Sequence, residues 1–228
     1  SGMFSPSLAK KIGEVFKEKG IEISVLGCYI NPSCTDKAKL KTETDFFIEN
    51  LKYARYMNAG VVGLETGFVG NTCVPEKNHT EEAYNHLLTT MKYLCDNAEK
   101  LGVTIAVEGV SAFVIDSPAK MLRLVNDLNS PNIAVIFDPL NLLTLENYQD
   151  QENLFYRMFE LLGEKIAVIH LKDFIVENHQ LKQCAIGKGL MNIPLLLSLI
   201  KQYKPQIPII LEETMEKELI DSIAVLHV

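Results

Sequence analysis

"NIAVIFDP" at residues 132–139 decides how the chain is read. Five successive apolar residues, Ile133 to Phe137, are followed at once by Asp138 and Pro139. A strand covered on both faces is apolar at consecutive positions, whereas a half-exposed strand alternates apolar with polar. Working outward, the same grammar recurs in "GVTIAVEGV" (102–110) with Glu108, "KIAVIHLKDF" (165–174) with His170, and "IPIILEET" (207–214) with Glu212. Two further runs, "IEISVLGCYI" (21–30) and "AGVVGLETG" (59–67), precede them. Between these six strands, apolar residues at three- and four-residue spacing predict helices over 42–58, 80–100, 118–129, 151–163 and 191–203, with another over Ser7–Lys19. Thr80 before Glu81 and Glu82, and Ser117-Pro118, suit helix starts, while Gly60, Gly102 and Gly163 stand where helices should end.

Alternating strands and helices leave an open doubly wound sheet or a closed barrel. No glycine-rich phosphate turn follows any strand. Chemistry-bearing residues instead gather at the ends of several strands, as they do on the C-terminal rim of a barrel. The expectation is a (β/α) TIM-type barrel of about six parallel strands, in one domain spanning residues 1–228, with Ser1-Gly2 as the remnant of an expression tag.

Composition narrows the setting. Hydrophobic residues make up 47% of the 228, and apolar runs such as "IPLLLSLI" (193–200) fall short of the ~20 residues of a membrane span. Five widely spaced cysteines without a C-x-x-C pair argue against a disulfide framework or a thiolate zinc site, and suit a reducing, cytoplasmic setting. A net charge of −7 gives no general attraction for a polyanion, so neither nucleic acid nor a membrane surface is the expected partner.

Glu108, Asp138, His170 and Glu212 are separated by 30, 32 and 42 residues, about one strand-helix repeat each, so all four fall on one rim of the sheet. Three carboxylates and an imidazole suit a borderline-to-hard divalent ion, Mn²⁺, Mg²⁺, Co²⁺ or Zn²⁺. Taken singly, Asp138 reads equally as a helix cap and His170 as a hydrogen-bonded core residue. Four such residues at equivalent places would cost burial energy unless something paired them. Glu213 neighbours Glu212, and only one of the two can face the barrel mouth without a bulge; Glu212, at the end of the apolar run, is the choice. Glu65 after "VVGL" is a substrate-side candidate, with a loop or cap role as the alternative. Lys172 shares a strand face with His170 and can bind a substrate oxygen or simply pair with a nearby acid. Asn141 follows Asp138 by three, and Lys188 sits in Gly187-Lys188-Gly189, where a barrel can place phosphate-binding backbone or merely a flexible loop. The remaining histidines, His79, His86, His179 and His227, read as surface residues.

In order and spacing, "IAVEGV", "VIFDPLNLL", "VIHLKDF" and "PIILEE", with "LGCYINP" and "GLETG", resemble the xylose isomerase-like barrel superfamily, particularly its sugar-phosphate isomerase and epimerase branch. The resemblance implies an eight-stranded barrel whose metal ligands come from its last four strands, here Glu108, Asp138, His170 and Glu212. It also implies that Glu108 and Glu212 carry a proton from and to carbon. Asn141 stands where sugar epimerases and the endonuclease members carry a histidine, a departure from both patterns. Against eight strands, the chain reads as N-terminally truncated by an opening unit, which leaves the strands at 21–30 and 207–214 as edges for a homodimer to cover. The expected function is metal-dependent isomerisation or epimerisation of a sugar or sugar phosphate. A non-catalytic truncated barrel that binds metal or metabolite, and an apurinic-site endonuclease, are the alternatives.

Overall fold

In the computed structural model the described residues are 4–226; Ser1-Gly2, read above as a tag remnant, and His227 lie outside them. Six parallel strands form one curled sheet: β1 (Val25–Gly27), β2 (Val61–Glu65), β3 (Ile105–Glu108), β4 (Ile133–Phe137), β5 (Ile166–Leu171) and, after a two-stranded excursion, β8 (Ile209–Leu211), hydrogen-bonded in that order. The excursion is the antiparallel hairpin β6 (Asp173–Glu177) and β7 (Gln180–Cys184). Nine α-helices connect or flank these strands among the described residues: α1 (Pro6–Glu18), α2 (Lys37–Met57), α3 (Pro75–Asn78), α4 (Glu81–Leu101), α5 (Pro118–Leu128), α6 (Pro139–Leu142), α7 (Gln151–Leu162), α8 (Ile193–Tyr203) and α9 (Leu219–Val225). All six strands expected from the sequence are present, and among the described residues no helix is long and apolar enough to cross a membrane.

The consecutive apolar runs split by parity. Val62, Leu64, Ile105, Val107, Val135, Phe137, Ile169 and Leu171 face outward and join the helices in the main core. Val61, Ala106, Ala134, Ile136 and Val168 face inward and form a small second core inside the curl, with Val25, Ala167 and Ile210 packed against it. The curl is tight: a methyl group on Gly63 would stand 2.8 Å from Ile136 Cδ1 and 2.9 Å from Val25 Cγ1, so no larger side chain fits there. Because side chains alternate, the residue two beyond each inward apolar position also faces the interior. That rule places Glu65, Glu108, Asp138, His170 and Glu212 at the C-terminal mouth.

One irregularity keeps β5 in phase. Val135 pairs with Ile166 but Ile136 pairs with Val168, so Ala167 is an extra residue, a β-bulge. Ile166 packs outward and Val168 inward although they share parity. Without the bulge, His170 would point into the helix layer.

Several local expectations shift. The first strand shortens to Val25–Gly27, and α2 starts at Lys37 because Asp36 accepts the amides of Ala38 and Lys39. It ends on Asn58, left-handed at φ 56°, two residues before Gly60. The strand expected over 165–174 stops at Leu171, and the chain turns into the hairpin. His86, read as a surface residue, is half-buried with Nε2 2.9 Å from the Cys34 carbonyl. All five cysteines are free.

Candidate metal centre

Four strands deliver the expected set to one point. Each of Glu108, Asp138, His170 and Glu212 offers one ligand-type atom, and the four atoms lie within 4.8 Å of one another. Glu108, Asp138 and His170 are buried, at 2%, 1% and 3% exposure, and Glu212 is half-buried. His170 Nδ1 lies 3.4 Å from Glu108 Oε2 and 3.1 Å from Glu212 Oε2. Glu212 ends β8, where its amide donates to the Leu171 carbonyl and its own carbonyl accepts from Gln183 of the hairpin. Glu213 takes a left-handed φ of 53° and is exposed, which separates the two adjacent glutamates.

Lys172 completes the inward series after Val168 and His170. Its Nζ stands 2.8 Å from Asp138 Oδ2 and 3.0 Å from Glu212 Oε2, on a side chain only about a tenth exposed. Asn141 ties the cluster together. Its Nδ2 donates to Glu108 Oε1 at 2.6 Å, its backbone amide donates to Asp138 Oδ1 at 3.2 Å, and its Oδ1 accepts from Lys172 at 3.5 Å. Asp138 thus caps α6 through Oδ1, while its Oδ2 faces the cluster. Glu65 pairs in register with Glu108 across β2 and β3, which directs both side chains to the same face.

Tyr29 lies just beyond β1. Its ring folds back over Gly27, where an added methyl group would meet Cε2 at 2.9 Å, and its hydroxyl donates to Glu108 Oε2 at 3.5 Å. The glycine two residues before a tyrosine was the available signal.

Electrostatics set the protonation. Burial alone would lower the His170 pKa, but the Glu108 and Glu212 carboxylates within 3.4 Å of its Nδ1 outweigh it and hold it at about 9. Glu212 is drawn down to about 2 by the close approach of His170, against burial and with help from Lys172. Burial lifts Asp138 to about 6 in spite of Lys172, and lifts Glu65 to about 7 together with the charge of Glu108. In metal-free protein a raised folded-state pKa contributes stability below the unfolded value and loses it as pH climbs through the folded one. Asp138 and Glu65 act over roughly pH 4 to 7, and His170 over roughly 6.5 to 9, all with the same sign. Thermal stability measured in chelator therefore falls as pH rises from about 6.5 to 9. A His170→Asn variant should lack that descent, and an unchanged slope in the variant would refute the assignment.

Asp138 Oδ2, His170 Nδ1 and Glu212 Oε2 are buried and have no hydrogen bond of acceptable geometry, although charged groups stand at 2.8 to 3.1 Å. Three buried ligand-type atoms converging on one point, with the Glu108 carboxylate beside them, fit a small divalent cation and can hold one.

The backbone phosphate cradle expected around Lys188 is not free for that task. Asp173, 1% exposed, accepts from Gly187 N at 2.9 Å and Gly189 N at 2.8 Å through Oδ2, and from Phe174 N at 2.8 Å and Met191 N at 3.0 Å through Oδ1. Gly189 must lack a side chain because a methyl group there would lie 2.2 Å from Asp173 Oδ1. These glycines wrap a buried carboxylate, and Lys188 itself is exposed. Asp173→Ala leaves four amides without an acceptor and should cost about 3–5 kcal/mol in a denaturant titration. A cost under about 1 kcal/mol would mean that water replaces the carboxylate.

Comparison with known proteins follows the same architecture. A probable L-ribulose-5-phosphate 3-epimerase from Mycoplasma pneumoniae is 26% identical over 134 residues, which cover 59% of this chain and 41% of that protein. An uncharacterised Methanocaldococcus jannaschii protein is 23% identical over 205 residues, covering 87% of this chain and 66% of its own length. The chain thus spans less than two thirds of either curated relative. The crystal structure of a D-tagatose 3-epimerase-like protein superposes with a TM-score of 0.80 at 19% identity, over 98% of this chain and 82% of that one. The structure of the IolI protein with a bound zinc superposes at 0.71 and 16% identity, over 96% and 78%. At these identities the structural matches establish the fold. Residues 2–227 match the sequence profile described as xylose isomerase-like TIM barrel, and the chain belongs to that family.

Proposed function

We propose that the protein is a metal-dependent isomerase or epimerase of a small polyhydroxylated carbonyl compound, a sugar or sugar phosphate, working by proton abstraction next to the carbonyl. One observation carries the reading: carboxylates from β3 and β8, three strands apart in the sheet, approach the same imidazole nitrogen within 3.4 Å. A substrate carbon held between Glu108 and Glu212 has one group to take a proton and another to return it. A bound Mn²⁺, Mg²⁺, Co²⁺ or Zn²⁺, held by Glu108, Asp138, His170 and Glu212, supplies Lewis acidity to adjacent hydroxyl and carbonyl oxygens. Asn141 keeps Glu108 oriented through its 2.6 Å hydrogen bond. Lys172 offers an ammonium to a substrate oxygen, and Glu65 faces the same space as a hydroxyl partner. Phosphate, where the substrate carries one, falls to side chains such as Lys188, because the neighbouring amides are already engaged. The epimerase named among the sequence relatives and the zinc in the IolI structure support the reading.

The test is incorporation of solvent deuterium into a panel of ketoses and their phosphates with each of the four ions. Exchange with any of them supports the reading. No exchange across the panel, with metal bound, favours a non-catalytic barrel that binds metal or metabolite. The apurinic-site endonuclease reading has less support, since the early strand ends carry Tyr29, Asn31 and Glu65 beside an acidic cluster.

A second copy of the chain is proposed to cover the flanks of the sheet. β1 and β8 are only partly buried, whereas β3 and β4 are fully buried. Apolar residues Leu8, Val15, Phe16 and Ile21 lie exposed on and just after α1. Light scattering at low micromolar concentration should give twice the chain mass; a stable monomer overturns the proposal.

A further inference from the structure

Lys172 sits on the oxygens that a metal would use. Its Nζ contacts Asp138 Oδ2 and Glu212 Oε2 at 2.8 and 3.0 Å, and those two atoms are among the four buried side-chain atoms of the described residues that lack a well-formed hydrogen bond. Ion-pair distance without hydrogen-bond geometry describes an ammonium held by charge between two carboxylates rather than one seated in a shaped donor site. Three clustered carboxylates whose nearby cationic groups are His170 and Lys172 need that charge, because ionised groups in a poorly solvated interior repel one another strongly.

A second cation cannot share the same two oxygens with the ammonium. The side chain is long, unbranched and flexible, and other acceptors lie close by. Asn141 Oδ1 is already 3.5 Å from Nζ, and the Glu65 carboxyl, turned to the same mouth, feels the Lys172 charge. From these contacts, and resting on the metal reading above, we propose that Lys172 is a built-in counter-ion. It fills the Asp138–Glu212 seat in the metal-free protein, is displaced by the incoming metal toward Asn141 and Glu65, and thereby sets the metal affinity of the site.

Lys172 thereby acts on metal affinity and occupancy, not on turnover. Competition of one cation for another's ligands is a negative coupling between two binding events, and such couplings typically change affinity by about 5- to 150-fold. Removing the competitor should recover that factor. Removing only the length or shape of the side chain while keeping its charge should not. The metal-free variant should also be less stable than the parent, since Asp138 and Glu212 lose their only ammonium, and metal should raise its melting temperature more than it raises the parent's.

The experiment is calorimetric titration of chelator-stripped protein with Mn²⁺ for the parent chain, Lys172→Met and Lys172→Arg, with melting curves with and without Mn²⁺. Lys172→Met is expected to bind about 10- to 100-fold tighter than the parent and Lys172→Arg within a few-fold of it. Equal or weaker binding by Lys172→Met overturns the counter-ion proposal while leaving the metal reading intact. Binding by Lys172→Met alone, with none by the parent, supports it in its strongest form. No Mn²⁺ binding by any of the three overturns the metal reading and this inference together. Should Lys172→Met fail to fold, Lys172→Gln serves as the neutral variant with the same expected result.

Discussion

Glu212→Gln lowers solvent-deuterium incorporation into substrate by about 100- to 10,000-fold, the range that a positioned acid or base contributes. Glutamine preserves the shape of the side chain and can still contact Lys172, but it cannot hold a proton at catalytic pH. Glu212 is the member of the pair to test, because its carboxylate stands ionised beside His170 and Lys172 and accepts from neither Asn141 nor Tyr29. It is also half-buried, so it can be reached from the mouth. The substitution weakens the metal seat as well, so the measurement is made with metal titrated to saturation. If exchange returns to the parent rate at saturating metal, Glu212 is a ligand and not a proton carrier. If it stays low, proton transfer is what was lost. Glu108→Gln is the companion experiment, complicated by the loss of an acceptor for Asn141 and Tyr29.

His170→Ala lowers metal affinity by about 100-fold or more. Loss of a partner behind a metal-bound ligand already costs about 10- to 100-fold, and removal of the ligand itself should reach at least the top of that range. The imidazole is the only nitrogen donor in the cluster and stands between Glu108 and Glu212, so its removal leaves the two carboxylates facing one another across an empty space. The metal-free variant should therefore also melt at a lower temperature than the parent at neutral pH. Calorimetry with Zn²⁺ and with Mn²⁺ reads the first effect, and the loss should be larger for Zn²⁺, which favours imidazole more strongly than Mn²⁺ does. Affinity within 10-fold of the parent for both ions would mean that the four side chains converge for reasons other than metal.

Much of this protein was decided by local pattern. The apolar runs at 105–107, 133–137, 166–169 and 209–211 are long enough to be strands and too short to be helices, and each is closed by a residue that can bind a cation. A repeat of about thirty residues per strand-helix unit then requires the four closing residues to share a rim, and that conclusion needs no long-range contact. Thr80 and Asp36 likewise act on amides two or three residues ahead, as caps do.

What tertiary structure alone decided are the matters that depend on partners far along the chain. Ala167 is small and apolar and suits either face of a strand, so nothing local marks it as the bulge that turns His170 inward; its pairing with β4 does. The role of Asn141 rests on Glu108, 33 residues back, and on Lys172, 31 ahead. Gly187 and Gly189 looked like a phosphate turn because glycine signals close approach without naming what approaches. The group that approaches is Asp173, a carboxylate of this same chain, and the preference of a buried charge for backbone amides over solvent-poor isolation is what closed the loop around it.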